Sequence, residues 1–486
     1  QIIDDEFLLA LADGGFQVGE LAKQYYPGGY KIDTGDFNEA VSITNDLLKK
    51  DKVIIYEAAF RYNNCFVRTD ILIKDGNKVE LIEVKAKSYD SSNDTLLNSK
   101  GEVSSTWKQY IYDVAFQKYV IKSSMPEYSI SAYLMMADKN SLCPTDGLNQ
   151  KFKIVKDQNG RKKVEVSDKL NAADLAIHML NRVNVDIHCG LIYKDKIQVG
   201  KNEYNFYDYV KLIEDCCAND KRYKPELSCA CGGCEFKATE IDKANGIKSG
   251  YEECWKEILG WGDKDFLEPT VFEIWNFRKK SQCLENGNIK ISDITMDCIS
   301  PKEDKKPGIS TTERQWLQVQ KVQNNDNSYW IDKENLSAEM NSWIYPLHFI
   351  DFETSSVAIP FNKGRHPYEG IAFQFSHHVV YEDGKVEHKG QYLNVVPGMF
   401  PNYDFLRALK KELGNDAGSI FRYAAHENTY LNMIYQQLNN DNSNITDKEE
   451  LKDFIKQITK STGSSVEEWQ GHRSMIDMCE LVKRYY

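Results

Sequence analysis

Apolar residues recur at helical spacing over Phe7–Tyr26, a run halted by Pro27-Gly28-Gly29, and again over Phe37–Lys50. Val53–Tyr56, Cys65–Lys74 and Lys78–Lys87 are rich in Val and Ile and read as strands, with Asp75-Gly76 as the hairpin turn between the last two. A helix is predicted over Trp107–Ser123, a strand over Tyr128–Met136, and further helices over Ala172–Val183 and Tyr207–Ala218. Residues 256–344 read as helical connecting matter with a polar, Lys-rich break at Ser300–Gly308. From Leu347 the period resets to strands (Leu347–Phe352, Ile371–Tyr381, Lys385–Leu393) and then to helices (Tyr403–Leu413, Asn428–Leu438), with Asn439–Asn444 a polar loop. No internal repeat is visible. The pattern divides the chain into an α/β unit over 1–255, a helical connector over 256–344 and a second α/β unit over 345–486.

At 486 residues the chain exceeds what one hydrophobic core usually holds. Its 41% hydrophobic and 12% aromatic content suits globular domains rather than disorder. No run approaches the ~20 apolar residues of a membrane span, and no signal segment opens the chain, so a cytoplasmic protein without membrane contact is expected. The first residue is Gln1 rather than Met, the residues after it already look like the inside of a domain, and Tyr486 shows no evident stop, so further sequence is expected at both ends. The net charge of −12 argues against a protein that coats nucleic acid without specificity. It leaves room for a nuclease, whose metal-binding carboxylates are themselves acidic.

Asp70 interrupts an apolar strand, and Glu83-Val84-Lys85 lies on the strand it hairpins with. Side chains two apart on a strand share a face, so Glu83 and Lys85 point the same way and an antiparallel partner brings Asp70 beside them. Two carboxylates and a lysine on one face suit phosphodiester hydrolysis: the acids hold Mg²⁺ or Mn²⁺ and the lysine offsets charge on the phosphate. The bland alternative is a surface hairpin with alternating charges, but charges set among Ile71-Leu72-Ile73 and Leu81-Ile82 are costly to bury without purpose. With Glu20 on the first helix, Glu57 one strand earlier and Gln117 on the following helix, the order resembles the PD-(D/E)XK nucleases of the RecB type over roughly residues 7–136. That resemblance implies a restriction-endonuclease-like fold, Asp70 and Glu83 as metal ligands and Lys85 as catalytic. Glu20 stands near the position where many relatives carry a metal-binding His, which this chain lacks.

Twelve cysteines without a signal segment point to reduced thiols, and four of them cluster: Cys229, Cys231, Cys234 and Cys254. The C-x₂-C pair at 231 and 234 can chelate one centre, and three or four thiolates suit zinc or an iron–sulfur cluster equally. RecB-like relatives hold a 4Fe-4S cluster with one cysteine before the nuclease core and three after it; Cys231, Cys234 and Cys254 look like the three. The fourth is expected either before Gln1 or at Cys229. Cys65, Cys216 and Cys217 read as core residues, and Cys298 and Cys479 carry no signal.

The strand Leu347–Ile350 runs into Asp351-Phe352-Glu353-Thr354. Two acids two apart share a face and can bridge a metal pair about 3.5–4 Å apart; the alternative is an acidic turn at a strand end. The motif is similar to the first motif of DnaQ-like, RNase H-fold 3′–5′ exonucleases. That resemblance places the second motif at His426-Glu427-Asn428, with Glu427 for the usual Asp. It places the third at His472…Asp477, with His472 as base and Asp477 as ligand. Ile476-Asp477-Met478 could equally be an intermediate strand-to-helix element. Ser249-Gly250-Tyr251-Glu252-Glu253-Cys254-Trp255, His348–Thr354, Pro367-Tyr368 and Phe373-Gln374-Phe375-Ser376 look like signatures of a bacterial family of unassigned function joining the two nuclease types, over most of the chain. The expectation is a restriction-endonuclease-like domain and an RNase H-like mixed-sheet domain joined by helices, cutting DNA (single strands or ends favoured, RNA not excluded) with protein partners in repair or defence. The rivals are a non-catalytic nucleic-acid-binding or assembly subunit, and a zinc-stapled RNase.

Overall fold

The computed structural model describes residues 6–157, 160–200, 202–223 and 226–486; Gln1 lies outside them. The first unit runs α1 (Glu6–Gln24), β1 (Tyr30–Lys31), α2 (Phe37–Leu48), β2 (Lys52–Tyr62), β3 (Cys65–Asp75), β4 (Lys78–Tyr89), α3 (Ser105–Ser124) and β5 (Ser129–Asp138). It continues through the hairpin β6 (Phe152–Lys156) and β7 (Lys162–Val166), then β8 (Leu180–Asn184), α4 (Asp186–Lys194), the hairpin β9 (Lys196–Val199) and β10 (Asn202–Asn205), and α5 (Phe206–Ala218). Six strands form one mixed sheet in the order β1-β2-β3-β4-β5-β8. Strands β2, β3 and β4 pair antiparallel, β4 and β5 parallel, and β8 closes the edge antiparallel to β5.

Period-two alternation divides this sheet's side chains between two cores. Ile55, Leu72 and Leu81 face α2 and α3 with Ala40, Ile111, Val114 and Val120. Tyr56, Ile71 and Ile82 face the opposite way, against Val18 and Leu21 of α1 and Phe152. Asp70, Glu83 and Lys85 fall on the parity of Leu72 and Leu81, the face that α3 covers.

Two expectations are corrected here. Residues 172–179 are turns rather than a helix, and Leu180–Asn184 is the edge strand β8. Buried Asp174 accepts from Thr145 Oγ1, Lys151 Nζ and the Asn171 amide, which fixes a turn where the apolar spacing suggested a helix. Cys217 is exposed and Cys216 half-buried on α5, whereas Cys65 is buried as expected.

The middle carries α6 (Glu240–Ala244), α7 (Gly250–Leu259), α8 (Lys280–Glu285), α9 (Met296–Ile299), α10 (Thr311–Gln323) and α11 (Lys333–Asn341). In this middle region Val271, Ile274, Ile291 and Ile294 pack with Val319 of α10 as a small core of their own. The last part comprises β11 (Leu347–Ser355), β12 (Ile371–Val380), β13 (Val386–Leu393), α12 (Asn402–Leu413), β14 (Ile420–Arg422), α13 (His426–Asn440), α14 (Lys448–Ile458), β15 (Ile476–Asp477) and α15 (Met478–Tyr485). Its five strands lie in the order β13-β12-β11-β14-β15, antiparallel among the first three and parallel from β11 to β15. The chain is thus a mixed α/β protein with two mixed sheets and a helical middle. No helix among the described residues is long and apolar enough to cross a membrane.

The two sheets are joined by more than the chain between them. The segment between β11 and β12 inserts Ala358 and Ile359 into the core beneath the first sheet. It also trades backbone bonds with residues 143–149: Cys143 N to Arg365 O at 2.9 Å, Gly364 N to Cys143 O at 2.8 Å and Gly147 N to Phe361 O at 2.7 Å.

Candidate active sites

The first cluster forms where β3 and β4 pass beneath α3. Glu83 Oε1 lies 2.7 Å from Lys85 Nζ, which also bonds Asp113 Oδ2 at 2.8 Å. Gln117 Nε2 donates to Glu83 Oε2 at 2.8 Å and to Asp113 Oδ1 at 3.0 Å, while Asp70 Oδ2 accepts from the Val84 amide at 2.7 Å. Asp70, Glu83, Lys85 and Gln117 are therefore brought together as their spacing predicts. Asp113 was missed, although its place one turn before Gln117 on the same helix face was a usable signal. Glu20 stands further out: it pairs with Lys23 at 3.3 Å, and Lys23 lies 4.0 Å from Glu57. Glu57 sits at φ +61°, and the registered pairs of β2 and β3 pass over Glu57 and Asp70.

Burial is the leading force on both acids and raises them above the usual carboxylate range. Glu57 pushes Asp70 the same way and Asp70 so pushes Glu83, while Lys85 pulls both down. Burial also opposes the charge on Lys85, but Glu83 and Asp113 outweigh it and hold the ammonium firmly protonated. The site thus gathers more carboxyls than one lysine can neutralise, so burial and mutual repulsion hold Asp70 and Glu83 towards their neutral forms until a cation joins them. Gln117 Oε1 is buried without a hydrogen-bond partner, a further acceptor beside the acids.

Among the described residues no three His, Cys, Asp or Glu side chains stand close enough to cage a metal ion. Mg²⁺ takes one or two carboxylates and completes its shell with water and substrate phosphate, so Asp70 and Glu83 are a sufficient donor set.

The second cluster gathers on the second sheet. Asp351 and Glu353 are exposed on β11 and flank buried Phe352, so they share a face. Glu427, at the first turn of α13, is buried at 3% exposure with Oε2 unpartnered. Burial pushes its carboxyl up to about 7, with Asp351 and Asp477 adding to the rise and its own amide and Arg422 opposing it. Asp477 ends β15 and caps α15, accepting from the Cys479 and Ala424 amides at 3.0 and 3.1 Å, and its other oxygen meets Arg422 at 3.0 Å. Residues 476–478 are thus a strand-to-helix element. His472 is not brought to this cluster; its Nε2 faces Gln457 at 3.2 Å, beside Phe454 and Trp469. Thr354 and His426, 3.1 Å apart, link the strand end to α13 instead.

The cysteines split. Cys231, Cys234 and Cys254 pack on one aromatic cluster around Tyr251 and Trp255, and Arg222 lies 3.4 Å from the Cys254 sulfur. Cys229 turns outward to Ser281 Oγ at 3.0 Å. The three thiols share one cluster, but they do not stand close enough to one another to cage a metal ion, and Cys229 pairs with Ser281 apart from them.

A family model described as a domain of unknown function (DUF2779) matches residues 348–486, which takes in the second sheet and its helices and is narrower than the expected resemblance over most of the chain. No curated protein and no solved structure matches the chain.

Proposed function

We propose that this protein is a metal-dependent deoxyribonuclease whose principal site is Asp70, Glu83, Lys85 and Gln117. The observation that carries the reading is the buried Glu83 held between Lys85 and Gln117, with Asp70 beside it at the end of an apolar sheet. Nothing in packing requires two acids there, and leaving them unpaired is costly. When bound, Mg²⁺ or Mn²⁺ supplies Lewis acidity and offsets the charge of the phosphodiester. Lys85 places a fixed ammonium where negative charge grows on the phosphoryl group. Asp113 and Gln117 hold Lys85 and Glu83 in that geometry.

The order α1-β2-β3-β4-α3-β5 with a parallel β4–β5 pair supports the restriction-endonuclease-like reading of residues 1–255. The order β13-β12-β11-β14-β15 supports the RNase H-like reading of residues 345–486 and, with Asp351 and Glu353, a second 3′–5′ exonuclease site. Cys231, Cys234 and Cys254 would be three ligands of a structural 4Fe-4S or zinc centre. Glu427 favours a second reading for that later site: it stands where the resemblance expects an Asp, as in a site that binds nucleic acid without cutting it.

The test is cleavage of end-labelled single- and double-stranded DNA, and of RNA, by anaerobically purified protein with Mn²⁺ or EDTA. Cleavage with Mn²⁺ that falls at least a hundredfold in Glu83→Ala and Lys85→Ala is expected. Intact protein that cuts none of these substrates refutes the nuclease. Activity surviving Glu83→Ala but lost in Asp351→Ala transfers it to the second site.

A further inference from the structure

Strand β4 breaks its pairing with β5 directly after Lys85: Lys85 pairs with Met136, but the next registered pair is Ser88 with Ala137. Ala86 and Lys87 are therefore bulged out of the ladder, and a carbonyl freed from a ladder needs another partner. That partner comes from the other sheet's connecting segment, because Tyr368 Oη donates to Ala86 O.

Tyr368 is itself held tightly. It sits at φ +61°, where a bulky side chain is strained and persists only if its surroundings fix it. Its amide donates to Val357 O and its carbonyl accepts from Ser356 Oγ, both at 2.8 Å. Two residues earlier, His366 Nδ1 lies 3.0 Å from Ser141 O, anchoring the same segment to the first unit.

We propose that Tyr368 is a positioning residue for the Lys85 site: its phenol pins the bulge at Ala86 and so fixes where the Lys85 side chain leaves the sheet. The inference rests on the reading of Asp70, Glu83 and Lys85 as a nuclease site. Misplacing a catalytic group by a fraction of an ångström to an ångström lowers turnover without touching substrate contacts.

The experiment uses the full chain carrying Asp351→Ala, so that only the first site can cut. In Tyr368→Phe, kcat is expected to fall about tenfold or more with KM for DNA unchanged. Hydrogen exchange should accelerate over residues 84–90 while the melting temperature stays within about 2 °C. His366→Ala, which loosens the same segment without touching the phenol, should keep the parent kcat. Unchanged kcat in Tyr368→Phe, or an equal loss in His366→Ala, overturns the positioning role and leaves the nuclease reading standing. A parent that cuts nothing, in both the Asp351→Ala and unsubstituted forms, removes the nuclease reading and this role with it.

Discussion

At the scale of single residues, burial sets the titration of several groups away from their ordinary values. Glu427 rises from 4.5 to about 7, so its neutral form is the one the fold prefers. Its contribution to stability is complete below pH 4.5 and is lost as pH rises through about 7. In EDTA, Glu427→Gln should therefore flatten the fall in stability between pH 5 and 8, by about 1–2 kcal/mol in denaturant titrations after allowing for solvent screening. Wild-type and variant falling in parallel would show that the carboxyl ionises freely. Among the cysteines, burial pushes Cys143 up to about 11 and Cys189 up to about 12. Both thiols should resist alkylation at pH 8 while exposed Cys217 and Cys229 react, and peptide mass mapping would read the order directly.

At the scale of elements, local signals and tertiary ones separate cleanly. Asp36 caps α2 by accepting the Asn38 and Glu39 amides at 2.8 and 2.9 Å, so Asp36→Ala should cost about 1 kcal/mol of unfolding free energy, seen as a lower denaturant midpoint. An unchanged midpoint would mean that the helix end is satisfied by water. The hairpin from Cys65 to Lys87 was legible because alternation and Asp75-Gly76 agree, and with it came Asp70, Glu83 and Lys85. Strand β2 was read only to Tyr56: Glu57 breaks the apolar run, yet the strand continues to Tyr62 through a left-handed residue. Strand β8 was invisible because Arg182 and Asn184 dilute its pattern and its place is earned by pairing with β5. Strands β14 and β15, three and two residues long, carry too little period to read. His472 matched a spacing, but a spacing fixes no direction, and the turn before β15 carries the ring elsewhere.

At the scale of the whole molecule, the segment between β11 and β12 makes one body of two α/β units. Ile359 is 1% exposed among Val18, Met135 and Phe152 of the first unit. Ile359→Ala should cost about 2–4 kcal/mol and lower the melting of both units together, as scanning calorimetry would show. A lowered transition for residues 345–486 alone would instead mean that the units unfold independently. The partner of Ala86 came from 282 positions away in the sequence, a distance over which no local pattern speaks.

That segment also bears on how such a chain could be inherited. A recombination event that replaced residues 345–486 with another module would leave an apolar hole beneath the first sheet and a carbonyl without its phenol. Domain shuffling, which works where units meet only through a linker, would here deliver damaged halves, so descendants of this architecture should pass the two halves on as a pair.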